Sequence, residues 1–94
     1  MKYELMCKFD SANSFCGKAY VEIEEDNIVK TYKLYSYNTL VAIYSEDKLS
    51  NLKLYDYLGK FSNTTTRHQK EFFRQFGLYD SDIKELFEKG HLEV

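Results

Sequence analysis

Residues 62–77 read SNTTTRHQKEFFRQFG, and the reading of this stretch decides the fold. At 100° per residue, Phe72, Phe73 and Phe76 fall on one side of a helix with Thr65 and Gln69 between them. Arg67, Lys70, Glu71 and Arg74 fall on the opposite side. Ser62, Asn63 or Thr64 supplies an N-cap, and Gly77 is placed to stop the helix at its far end. The spacing therefore predicts a helix over about 64–76. A helix of this length is not stable alone in water, so its Phe side needs a surface to cover.

Upstream, the period is two instead of 3.6, which supplies that surface. Residues 2–9 put Tyr3, Leu5, Cys7 and Phe9 on one face. Residues 18–24 put Ala19, Val21 and Ile23 inward, and 25–27 (EDN) suit a hairpin turn. Residues 28–37 continue as a β-branched and aromatic strand. Residues 39–44 (TLVAIY) are apolar without alternation and read as a central strand covered on both sides. Residues 52–57 read as a further strand, although Leu49, Leu52 and Tyr55 also fit helical spacing. Downstream of Gly77, Ile83, Leu86 and Phe87 form a second apolar stripe over about 82–89, with Asp80, Ser81 or Asp82 as cap and Gly90 as terminator. The expectation is one α+β domain, residues 1–94: an antiparallel sheet of four to five strands (about 2–57) with two C-terminal helices packed on one face.

Ninety-four residues bury one modest core, with no room for an enclosed reaction chamber besides. Nine Tyr and seven Phe without Trp suit a shallow core and also a recognition surface. Thirteen Lys and Arg against fifteen Asp and Glu argue against broad affinity for phosphate backbones. No stretch reads as a signal peptide or a membrane span, which gives the expectation of a cytoplasmic protein. Cys7 and Cys16 form no C-x-x-C and read as buried apolar fillers.

Three features carry candidate chemistry. Thr65, Thr66, Arg67 and His68 at a helix mouth are either a cap and junction or a seat for an anion. Arg67, Lys70 and Arg74 form a basic stripe, either solvated or tracking phosphates with exposed tyrosines such as Tyr37. The run Glu22, Glu24, Glu25 and Asp26 is either a solvated strand end or a mimic of nucleic-acid charge. His68 and His91 lack metal-ligand spacing, and neither a metal nor another cofactor is expected. No nucleophile is accompanied by a base and an orienting group, so the expectation is not an enzyme.

The blocks SFCGKAYV (14–21), LYSYNTLVA (34–42) and FSNTTTRHQKEFFRQFG (61–77) resemble, in this order, a family of small proteins of bacteriophages and mobile elements of Gram-positive bacteria. Its members carry GKA, YSYNT-VA and S-TT-RH--EF--Q-G. The resemblance implies no catalytic residue. It implies a phage-type accessory protein in the cytoplasm of a bacterial host. Such a protein binds a host or phage protein, as anti-CRISPR inhibitors of host defence do. A nucleic-acid-binding module is the alternative.

Overall fold

The turn Tyr37–Asn38 sets the centre of the sheet. Both residues hold positive φ, 51° and 67°, the backbone of a two-residue hairpin turn whose twist matches its strands. In the computed structural model, which describes residues 1–94, this turn joins β3 (Val29–Ser36) to β4 (Thr39–Asp47). Outside them lie β2 (Ala19–Glu25) and β1 (Lys2–Glu4) on one side, β5 (Lys53–Tyr57) and β6 (His91–Glu93) on the other. All six strands are antiparallel, in spatial order β1 to β6.

Helices α1 (Asn63–Gln75) and α2 (Asp80–Lys89) lie between β5 and β6 in the chain. Both pack on one face. Tyr44 stacks on Phe76 with ring centroids 4.2 Å apart, and Tyr57 stacks on Phe87 at 4.1 Å. Phe72, Phe73, Ile83 and Leu86 are buried with Val21, Leu34, Ala42, Tyr44 and Tyr55 in a single core. The α+β architecture is the expected one, with six strands where four to five were expected.

Three local expectations change, and the strand reading of 52–57 holds. The strand expected over 2–9 stops at Glu4, because the backbone of Lys8, Phe9 and Asp10 is captured by the Glu71 carboxylate and leaves the sheet plane. Phe9 is consequently exposed. The unalternating TLVAIY does not signal coverage on both sides. A bulge pairs Leu34 with Ala42 and Tyr35 with Leu40, so Val41 is the extra residue and is buried next to Ala42. Residues 53–57 are strand, and Leu49 and Leu52 are exposed, so the competing helical spacing had no apolar face to serve. Finally, the last residues form β6. Gly90 at φ 81° ends α2, donates to Leu86 O (2.7 Å) and accepts from Tyr57 N–H (3.0 Å), which turns the chain directly into the sheet.

The cap of α2 also differs from expectation. Tyr79 is its N-cap, and the Asp82 carboxylate accepts the Tyr79 N–H at 3.1 Å. Cys16 is exposed at φ 55° instead of buried.

Candidate functional site

The three threonines of α1 have three different fates. Ser62 caps the helix, accepting the Thr65 N–H at 3.1 Å. Thr64 is exposed. Thr66 Oγ1 donates back to Ser62 O at 2.9 Å. Thr65 turns inward, 3% exposed, and its Oγ1 lies 2.9 Å from Ser36 Oγ. His68, 1% exposed, places Nδ1 2.8 Å from the same Ser36 hydroxyl. Phe15 covers its ring at 4.4 Å, and Tyr37 lies 5.9 Å away. Thr65 and His68 are thus spent inside the molecule, where no partner reaches them.

Gln69 and Glu71 of the block are also internal bolts. Gln69 is fully buried and donates to Val41 O (3.1 Å) and Gly59 O (3.0 Å), which fixes the bulge. Glu71 is buried, against the expectation that it joins the charged face. Its oxygens accept the N–H groups of Lys8 (3.2 Å), Phe9 (2.9 Å) and Asp10 (2.7 Å) and the Gln75 amide (2.6 Å). Gln75 also donates to Met6 O at 2.7 Å. Sequence periodicity missed these roles because the partners are backbone groups far along the chain.

The basic stripe is largely used up. Arg67 is clamped by Asp10 through Nε (3.1 Å) and Nη2 (2.5 Å), and Arg74 pairs with Asp80 at 2.5 Å. Lys70 is exposed. The Arg67 guanidinium and the Ala12 N–H hold the Asp10 carboxyl down to about 2.

The acidic run is likewise divided. Glu25 pairs with Lys48, and Asp26 Oδ1 accepts the N–H groups of Ile28 (2.8 Å) and Val29 (2.7 Å) to build the hairpin turn. Glu22 and Glu24 alone point away from the helices. Tyr37 is about half exposed, with the Lys18 ammonium 5.9 Å from its ring centroid.

The sheet face opposite the helices presents a further, partly exposed set of side chains. Strand register assembles it as three cross-strand rows. The first is Glu4, Tyr20, Tyr35 and Leu40. The second is Lys2, Glu22, Lys33, Ile43, Asp56 and His91, and the third is Glu24, Thr31, Ser45, Leu54 and Glu93. Tyr20 and Tyr35 stack at 5.1 Å, nearly parallel. Both cations are engaged within the face, Lys33 with Glu24 at 2.8 Å and Lys2 over the Tyr20 ring at 4.6 Å. Two lysines against five carboxylates give this face a formal charge of −3 with His91 neutral, whereas the whole chain carries −2. The face therefore holds all of the net negative charge.

The two histidines respond to acid in opposite senses. Burial pushes His68 below its ordinary pKa, and the neighbouring Arg67 charge adds to this against a smaller opposing effect of Asp10. Its unfolded form protonates first, so the stability it contributes is complete above about pH 6.5 and is lost as pH falls through that region. His91 is raised by hydrogen bonds to Asp56 (2.7 Å) and Glu93 (3.4 Å), so its contribution is present at low pH and is lost as pH rises. The urea midpoint of His68→Gln is expected to fall less between pH 8 and pH 5.5 than that of the wild type. An unchanged slope would mean that His68 does not titrate on unfolding.

No helix is long and apolar enough to cross a membrane. Searches of curated proteins and of solved structures found no match. A family model described as a family of unknown function (DUF8033) matches residues 1–89. The three sequence blocks converge structurally, through Phe15 on His68, Ser36 on Thr65 and His68, and Gln69 on Val41, so a match over nearly the whole chain corresponds to one continuous packing scheme. The chain belongs to the DUF8033 family.

Proposed function

We propose that this protein is a non-enzymatic accessory protein that acts by binding another protein through the open face of its sheet. The observation that carries the reading is that face itself. It is an open array with a stacked tyrosine pair, the apolar side chains of Leu40, Ile43 and Leu54, and a surplus of three negative charges. Aromatic anchors beside aliphatic side chains within a polar rim are the composition of a protein-recognition surface. Together with the resemblance to small phage proteins, this supports a role in a bacterial cell as an inhibitor of a host defence complex, in the manner of anti-CRISPR proteins. The carboxylates would then meet the basic surface that such a complex reserves for nucleic acid.

The nucleic-acid alternative draws no support from this geometry. Arg67 and Arg74 already have carboxylate partners, and the broad uncovered face would repel phosphates.

Affinity capture from a bacterial host lysate, followed by binding measurements with the recovered protein, tests the reading. Capture is expected to return a stoichiometric protein. Tyr35→Ala is expected to weaken its binding about tenfold or more, the effect of removing a central aromatic anchor. Absence of such a partner, or undiminished binding by Tyr35→Ala, would overturn the proposal.

A further inference from the structure

We infer that the occupant of the open face is a basic amphipathic α-helix lying along the strands; this rests on the protein-binding reading above. The carboxylates on this face form two margins. Glu22 and Glu24 lie on β2, and Asp56 and Glu93, both bonded to His91 at the margin's edge, lie on β5 and β6. Between β2 and β5 run three strand spacings, about 14 Å. Tyr35, Leu40 and Ile43 form the apolar part of the floor, Thr31, Ser45 and the Glu24-paired Lys33 its polar part, and Leu54 lies where the floor meets the second margin.

A helix with its side chains is about 10–12 Å across, which matches that width. Its apolar stripe would rest on Leu40 and Ile43. Lysines or arginines flanking the stripe on both sides would reach the two carboxylate margins at once. The rows lie two residues apart along each strand except at the β4 bulge, where Leu40 and Ile43 are three apart, so three rows extend about 13 Å, the length of roughly nine helical residues. An added strand is disfavoured on this face, because the β2 to β5 backbones already bond to their neighbours and only side chains are offered. The molecule uses the same solution on its other face, where α1 covers β3 and β4 with aromatic and apolar side chains.

The test is a titration of the ¹⁵N-labelled full chain with a synthetic peptide of about 14 residues. The peptide carries leucines at i, i+3, i+4 and i+7 and lysines on both flanks; its control has glutamates in place of the lysines. The lysine peptide is expected to gain helical circular dichroism, to shift the amides of Tyr35, Leu40, Ile43 and Leu54, and to bind at least tenfold more tightly than the control. Glu22→Lys combined with Glu93→Lys is expected to remove most of that preference while leaving the ¹⁵N spectrum folded. Shifts confined to α1 and α2, binding without helix gain, or equal binding of both peptides would overturn the inference. If the lysine peptide fails while a captured partner remains sensitive to Tyr35→Ala, the helical occupant is wrong and the protein-binding reading stands. If Tyr35→Ala leaves capture intact, the reading itself falls.

Discussion

Glu71→Ala is expected to destabilise the protein by about 3–5 kcal/mol, because it leaves three backbone N–H groups without their charged acceptor. The carboxylate is 1% exposed and accepts three consecutive backbone N–H groups, those of Lys8, Phe9 and Asp10. Hydrogen bonds to a charged acceptor each contribute about 1.5–3 kcal/mol. The three do not add in full, because the freed loop can swing out and hydrate its N–H groups. Glu71→Gln keeps the shape and one acceptor oxygen but turns an NH₂ toward donors, so a smaller loss, about 1.5–3 kcal/mol, is expected. Urea unfolding gives the magnitudes. Hydrogen exchange at Lys8, Phe9 and Asp10 locates the effect, and it should rise in both variants before global unfolding. Were Glu71→Ala to stay within 1 kcal/mol of wild type with those amides still protected, the carboxylate would not be the loop's anchor.

Glu71 also marks where the sequence stops being legible. Helical periodicity sets it beside Lys70 and Arg74, where it would lie in an isolated α1. Its true environment is created by residues 8–10, more than sixty positions away, and a backbone N–H leaves no trace in side-chain pattern. The same reason hides β6, since three residues are too few for a period and His91–Glu93 becomes a strand only by pairing with β5. By contrast, α1, α2 and the hairpin around 25–27 were readable, because caps, glycines and apolar stripes act over a few residues. Phe9 failed for a mixed reason: its alternation with Leu5 and Cys7 was real, but the sheet it predicted ends at Glu4. The open face was half legible. Glu22 and Glu24 announced their charge, yet their neighbours Lys33, Tyr35, Asp56 and Glu93 joined them only through strand register. The TTTRH block, which looked most like a site, is chiefly a junction. Its polarity is consumed by Ser36, Ser62 and Asp10.

Phe73→Ala is expected to cost about 3–5 kcal/mol, the range for removing a fully buried aromatic side chain. Phe73 is 0% exposed and joins all three parts of the core. Its ring meets Phe72 of its own helix edge-on at 5.5 Å, Tyr55 of β5 at 6.3 Å and Phe87 of α2 at 6.4 Å. Little can collapse into the void, because Tyr55 is tethered by its hydroxyl to Phe76 O at 2.7 Å and Phe87 is stacked on Tyr57. The lost ring is therefore felt both as lost burial and as cavity. For a domain of this size the drop corresponds to a fall in melting temperature of roughly 15–30 °C. Phe9→Ala is the matched control. It removes the same ring from a side chain that is 57% exposed and is expected to stay within about 1 kcal/mol. Equal losses in the two variants would contradict the packing of both helices on the sheet. With that packing gone, the opposite face would no longer be the uncovered one on which the binding proposal stands.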